Sequence, residues 1–227
     1  MIIEVGHEKG GVGKSTLAIN LAAYFAQNKK NKVVLVDTDE SGSSSRWGEL
    51  RTHNKLEQTF TIVGKAVDPT AHILKLSEVF NVVIVDVGAG DYARLAEMSR
   101  IVDLWIAPTG VGQKEGDSNI NLIEAFQRAN SRHKNGKIPL VFAFNKTPSS
   151  ANSLEAQYAA EALSEAAPEV TVLKSRICDR KIWRDADREG RSIFEMQPKA
   201  RFKAEAEFSA MVDEALRAYS AFNKKVA

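Results

Sequence analysis

The chain has 227 residues, 44% of them apolar, and a formal net charge of +2; that is enough apolar material for one sizeable core and too much for a disordered segment. No apolar run approaches the roughly 20 residues of a membrane span, and the single cysteine, Cys178, excludes an intrachain disulfide framework or a four-cysteine metal site. The N-terminus enters a strand without the basic and apolar regions of a secretory signal, so a cytoplasmic protein is expected.

Ile2 to Val5 is a short apolar run that passes into Gly6-His7-Glu8-Lys9-Gly10-Gly11-Val12-Gly13-Lys14-Ser15-Thr16, and a helix-patterned stretch runs on from Leu17 to Ala26. This is the arrangement of a phosphate-binding loop. Glycines let consecutive backbone N–H groups converge on phosphate oxygens, and the helix N-terminus adds unpaired donors and partial positive charge. Lys14 is expected to reach the β- and γ-phosphates, Ser15 to hold Mg²⁺, and Thr16 to lie near the α-phosphate. The strict pattern has a glycine five positions before Gly13; here Glu8 stands there, followed by a second lysine, Lys9, read as a further phosphate contact.

The run Lys9-Gly10-Gly11-Val12-Gly13-Lys14-Ser15 resembles the deviant phosphate loop of the ParA/MinD ATPases. The resemblance makes Lys9 the signature lysine, which in that family reaches across a nucleotide-sandwich dimer to the partner's phosphates. It implies ATP and Mg²⁺ as cofactors, hydrolysis to ADP and phosphate, and a homodimer formed on ATP binding.

Lys32 to Asp37 is a non-alternating apolar run, as in a strand covered on both faces of a parallel sheet. It ends in Asp37-Thr38-Asp39-Glu40-Ser41-Gly42-Ser43. Loops at the C-terminal ends of strands carry the chemistry of open α/β sheets, so Asp39 is a candidate to orient the attacking water; a turn or helix-cap residue is the plainer alternative. The family's first switch favours the catalytic role, although Glu40-Ser41 replaces its usual Pro-Gln. A helix is expected over Trp47 to Glu57, a strand over Phe60 to Val63, and a helix opening at Asp68-Pro69.

Val82 to Val85 followed by Asp86 has the shape of a Walker B strand, which makes Asp86 a ligand of the Mg²⁺ shell, through water. Val87-Gly88-Ala89-Gly90 resembles the family's second switch without its proline pair. A strand is expected over Ile101 to Ala107, a helix over Gly116 to Arg132, and a strand over Pro139 to Phe144. The family sets an asparagine against adenine after this strand, and Asn145 holds that place. Lys146 does not signal GTP, since Asn145-Lys146-Thr147 lacks the following aspartate of a guanine-reading motif. A helix over Ser153 to Ala166 and a last strand over Val170 to Leu173 complete the series.

Between Lys174 and Lys203 there are ten Lys/Arg and five Asp/Glu, a local excess of +5 that leaves the rest at −3. Arg176 after the last strand, a short helix and then Gly190-x-Ser192-Ile193 resemble the C-terminal segment of small ParA proteins. Arg180, Arg184 and Arg188 recur every four positions and would share a helix face, with Lys181 and Arg191 beside them. These five are the candidate contacts to phosphates of nonspecific double-stranded DNA; the interleaved acids also fit an ordinary charged surface. No zinc finger or helix-turn-helix precedes the core, so operator recognition is not expected. Phe202 to Tyr219 forms the last helix, whose apolar side is assigned to packing and not to a membrane.

The reading is one domain over residues 1–227, a three-layer α/β/α P-loop NTPase with a mostly parallel sheet and C-terminal helices from about 179 packed on the core. The resemblance implies a ParA-type ATPase that binds nonspecific DNA as a dimer, associates with the nucleoid, and drives plasmid or chromosome partition with a ParB-like or other stimulating partner. Its rivals are a MinD-like membrane-associated positioning ATPase, a ParA-like ATPase serving a non-DNA cargo, conjugation or secretion, and a P-loop small-molecule kinase or ligase. An iron–sulfur relative is disfavoured by the lone Cys178.

Overall fold

The computed structural model describes residues 1–64, 69–90, 92–133, 137–149 and 154–226. Asp68 and Ser153, expected at two helix starts, lie outside them. Seven parallel strands form one sheet: β1 (Ile2–Val5), β2 (Val33–Asp37), β3 (Thr61–Val63), β4 (Val82–Asp86), β5 (Leu104–Thr109), β6 (Leu140–Thr147) and β7 (Thr171–Cys178). Their spatial order is β3-β2-β4-β1-β5-β6-β7, every pairing parallel. The helices are α1 (Lys14–Ala26), α2 (Ser43–His53), α3 (Pro69–Val79), α4 (Tyr92–Met98), α5 (Gln113–Asn130), α6 (Glu155–Ala166), α7 (Lys181–Glu189) and α8 (Pro198–Val226), with a 3₁₀ turn at Ile193–Glu195.

Alternate strand residues go to opposite faces, which is why the strands read as unbroken apolar runs. Ile3, Val5, Leu35, Ile84 and Ile106 pack with Leu17 and Leu21 of α1 and with Phe208, Met211 and Val212 of α8. Ile2, Val34, Val83 and Trp105 pack the other face with Ile73, Leu95, Leu122 and Phe126, from α3, α4 and α5. The expected three-layer fold is therefore present. Phe208, Met211 and Val212 of α8 pack on the sheet, as expected from the sequence, while Phe202 stays exposed, and among the described residues no helix is long and apolar enough to cross a membrane.

Several element ends differ from the expectations. β5 begins three residues late, because Asp103 turns in to accept the Ile2 N–H at 2.7 Å while Ile101 and Val102 are buried in the preceding turn. α2 starts four residues early, directly after Gly42 with its φ of 63°. β7 runs on to Cys178, so Arg176 lies inside the strand and not after it. As an edge strand with a half-exposed face, β7 carries polar residues that conceal its length. α4 is not expected from the sequence at all, although Leu95 and Met98 bury completely.

The order of the strands positions the site. β1 lies between β4 and β5, so chain connections leave it in opposite directions and open a crevice at its C-terminal end. The phosphate-binding loop, the Asp37 loop and the Asp86 loop all meet there. Thr38 ties the last two together, donating from both its N–H (3.0 Å) and its hydroxyl (2.9 Å) to the Asp86 carbonyl.

Candidate nucleotide site

The loop after β1 is shaped by backbone that favours glycine. Gly11 has φ 80° and Gly13 φ 91°, and a Cβ on Gly13 would land on the Asn145 amide. Asn145 donates from Nδ2 to the Val12 carbonyl at 2.8 Å, and Lys146, itself at φ 55°, donates from Nζ to the Gly11 carbonyl at 2.6 Å. The end of β6 therefore clamps the underside of the loop. With its carbonyls held from below, the loop has its N–H groups left for an anion above.

Lys14 is buried, and its ammonium donates to the Lys9 carbonyl at 2.9 Å. Burial lowers its pKa, while Asp86 and Asp39 act to raise it. Asp86 is fully buried. Its Oδ2 accepts from the Ser44 hydroxyl at 2.7 Å, and its Oδ1 has no partner. Burial pushes its pKa up to about 6, the Ser44 hydrogen bond and the nearby Ser15 hydroxyl pull it down, and the charges of Asp37 and Asp39 push it further up. A buried oxygen without a partner, beside a serine hydroxyl and two other carboxylates, fits a hydrated divalent cation, a hard ion that takes oxygen ligands. The residues present thus suit Mg²⁺ held by Ser15 and Asp86.

Asp37, which the sequence did not single out, anchors the next loop. Its Oδ1 accepts from the Asp39 N–H at 3.1 Å and its Oδ2 from the Ser45 N–H at 2.7 Å. Asp39 Oδ1 accepts from the Ser41 N–H at 2.8 Å, and its carbonyl accepts from Gly42 N–H at 3.0 Å. In this conformation Asp39 does perform the turn role weighed as the alternative. It also lines a cavity of about 500 Å³ together with Gly10, Lys14, Ser15 and Thr16. Gly88 allows this approach, since a Cβ there would stand 3.0 Å from the Asp39 carboxyl carbon. A second cavity of about 260 Å³, bounded by Thr16, Asn145, Ile177, Trp183 and Asp187, opens on the other side of the loop. Asn145 lines it, with one amide N–H given to Val12 and the second N–H and the amide oxygen left over.

The basic block is arranged differently from the expectation. Arg180 precedes α7 with φ −115° and does not share a helical face with Arg184 and Arg188. It binds Glu207 of α8 through Nε (3.1 Å) and Nη2 (2.5 Å). Burial works to raise the Glu207 pKa, but the Arg180 and Cys178 hydrogen bonds carry it below the ordinary value. Arg184 pairs with Asp179 at 2.6 Å, Lys181 with Asp185 at 3.2 Å, and Arg191 with Glu189 at 3.1 Å. Of the five, Arg188 alone has no acidic partner among the described residues.

Residues 3–193 match the family model described as the CobQ/CobB/MinD/ParA nucleotide binding domain. The chain belongs to this family. Across 89% of its length and 91% of the relative's, it is 26% identical to "Maintenance of carboxysome distribution protein A" of Halothiobacillus neapolitanus. Over 19% of its length and 17% of the relative's, it is 54% identical to the chromosome-partitioning ATPase Soj of Thermus thermophilus. Among solved structures, an ATP complex of Cyanothece McdA is 18% identical with a TM-score of 0.70, covering 92% of this chain and 95% of that one. Pyrococcus furiosus cell division ATPase MinD has the same identity and TM-score, covering 93% and 98%. These structural likenesses establish the shared fold.

Proposed function

We propose that the chain is an Mg-dependent ATPase that dimerises on binding ATP and uses that cycle to position a cargo, and that the cargo is a protein-built body and not a plasmid. The observation that carries the nucleotide half is the Lys14 ammonium resting on a neutral carbonyl beside the partnerless Asp86 Oδ1. An ionised acceptor makes a stronger hydrogen bond than a carbonyl, so an entering anion would take Lys14 from Lys9.

Bound Mg–ATP supplies the transferable phosphoryl group and the cation charge that balances it. The protein's share is positioning and charge. Backbone N–H groups of Gly11 to Lys14 cradle oxygens, with Gly10, Thr16 and Asn145 bounding the nucleotide. Ser15 and Asp86 hold the metal. Lys14 and, from the second copy, Lys9 balance charge that builds on the phosphates, and Asp39 orients the water. Asp39 can take the water on Oδ2, since the Ser41 N–H occupies Oδ1 alone.

The cargo half rests on the relatives. Of the two relatives compared by sequence, the carboxysome-distribution protein matches along nearly the whole chain, whereas the Soj match is confined to about a fifth of it. Partition of DNA with a ParB-like stimulator is the competing reading, weakened by the ion pairs along α7. Nonspecific DNA stays in the proposal as the track, with Arg188 and the releasable Arg184 as its candidate contacts and the nucleoid as the resulting location. Membrane attachment through α8 is disfavoured because that helix is already packed.

The test has two stages. Light scattering and phosphate release with no nucleotide, ADP, and ATP plus Mg²⁺ are expected to show a dimer with ATP alone, lost with Lys9→Ala. Persistence of a monomer in ATP would overturn the nucleotide half. Deleting the gene is then expected to cluster protein-built bodies while plasmids are retained; plasmid loss with evenly spaced bodies would overturn the cargo half.

A further inference from the structure

His7 lies two residues beyond β1, and its side chain is fully buried. It bridges two parts of the chain that are distant in sequence. The Lys9 backbone N–H donates to its Nδ1 at 3.0 Å, and its Nε2 stands 3.0 Å from Oδ1 of Asn119 in α5. A backbone N–H can only donate, so Nδ1 is the accepting nitrogen and Nε2 carries the proton that goes to Asn119. The Thr109 hydroxyl at the end of β5 donates to the same Asn119 oxygen at 2.9 Å. A chain of hydrogen bonds, buried as far as the imidazole and part-buried at Lys9, therefore runs from β5 and α5 to the entrance of the phosphate loop.

The Lys9 residue is held from both sides, its N–H by His7 and its carbonyl by Lys14. The second bond is the one an entering phosphate would remove. We infer that His7 is a positioning residue for Lys9: its Nδ1 fixes the Lys9 N–H, and with it the direction in which the lysine leaves the loop, after Lys14 has turned to the nucleotide. This deepens the proposed function and rests on its assignment of Lys9 to a partner's phosphates. The amide bond itself is independent of that assignment.

Two near-isosteric variants separate the roles of the two ring nitrogens. His7→Asn places an amide oxygen near the position of Nδ1, so it keeps an acceptor for Lys9 but cannot reach Asn119. His7→Gln extends an amide to the position of Nε2, so it keeps the Asn119 contact and loses the acceptor. Both lose the ring, which makes the packing loss common to the pair.

The first readout is hydrogen exchange of the Lys9 amide in the nucleotide-free protein. Protection greater than at Gly10 is expected in the wild type and in His7→Asn, with exchange at least about tenfold faster in His7→Gln. The second readout is steady-state hydrolysis. His7→Gln is expected to lower kcat about tenfold, or about 1.4 kcal/mol, with KM within about twofold, and His7→Asn to stay near wild type. Equal losses in the two variants would reduce His7 to packing and overturn the inference. So would a wild-type Lys9 amide that exchanges as fast as Gly10, a result that needs no variant to fold. Normal hydrolysis by Lys9→Ala would sink the assignment of Lys9 instead, and the exchange comparison would still decide the role of His7.

Discussion

At the tips of β1, β2 and β4 Lys14 stands beside Asp37, Asp39 and Asp86 without closing an ion pair with any of them, whereas along α7 nearly every basic side chain is matched with an acid. Lys14 sits on a carbonyl while three aspartates stand nearby, one of them with a partnerless oxygen. Arg180, Lys181, Arg184 and Arg191 each hold a carboxylate. The first region has many fewer charges but keeps them available, because burial denies them water and geometry denies them each other. The second region is rich in charge that has been neutralised locally. Counting lysines and arginines along a sequence measures the second kind as readily as the first.

The largest expected effect breaks the open region. Lys14→Ala removes the ammonium that would move to the phosphates, and loss of such charge stabilisation is expected to reduce kcat about 10³-fold, or about 4 kcal/mol. Phosphate release under saturating ATP checks it, with thermal unfolding to confirm that the fold survives. A reduction below tenfold would mean that Lys14 stays on Lys9 throughout the cycle.

The next effect breaks the closed region at its most buried point. Arg51, in α2, is 1% exposed and is shared among the Gly190 carbonyl (3.0 Å), the Glu57 carbonyl and both Glu195 oxygens (2.6 and 2.9 Å). Gly190, at φ 67°, brings the end of α7 against the Arg51 backbone so closely that a Cβ would stand 2.9 Å from its nitrogen. Arg51→Ala leaves Glu195 with its Ser192 bonds alone and takes the donor from two carbonyls, which is expected to destabilise the protein by about 3 kcal/mol. Urea unfolding reads the change. Because this arginine ties α2 to α7 and touches no loop of the nucleotide site, ATP affinity is expected to change little while the protein remains folded.

The site was legible in the sequence where chemistry and local backbone coincide. The glycines around Lys14 and the aspartate ending β4 are local signals, and the structure brings both to one crevice. Partners supplied by distant segments left no such mark. Ser44 on Asp86, Lys146 on the Gly11 carbonyl, and Asn119 on His7 are pairings across 42, 135 and 112 positions. Arg51 was invisible for the same reason, since its partner Glu195 is 144 residues away. The i,i+4 spacing of Arg180 and Arg184 misled in the opposite way: it assumed a helix that in fact starts one residue later. The sheet was easy to find because both its faces are buried. The second half of β7 and the whole of α4 were not, one lying on a half-exposed edge and the other being a short helix.

A smaller effect sharpens what burial does to a carboxylate. Glu4, in β1, is fully buried with neither side-chain oxygen hydrogen-bonded, and burial raises its pKa well above the ordinary value. A raised folded-state pKa means that the folded protein holds its proton more tightly than the unfolded chain does. The stability so gained is complete below the unfolded pKa and is lost as pH rises through the folded one. Glu4→Gln cannot ionise, so its unfolding free energy is expected to gain on the wild type as pH rises from 5 to 8. The gain is about 1.4 kcal/mol per pH unit for as long as Glu4 stays protonated in the folded protein. Parallel urea titrations at pH 5, 6, 7 and 8 check this, and a constant difference would show that Glu4 is ionised throughout.

The smallest effect on stability is the most informative about partners. Arg184 and Asp179 form a 2.6 Å pair with both side chains more than half exposed, so Arg184→Ala is expected to change stability by less than about 0.5 kcal/mol. Its effect on nonspecific duplex DNA depends on whether the pair opens. If α7 meets phosphates, Arg184 must leave Asp179, and Asp179→Asn removes the competitor. That variant is then expected to tighten ATP-dependent DNA binding about threefold, with Arg184→Ala weakening it and lowering the salt slope by about one counterion. Fluorescence anisotropy across a salt series measures both. If neither variant moves the DNA isotherm, the charge on α7 serves the fold alone, and a track contact has to be sought at Arg188 or on another face.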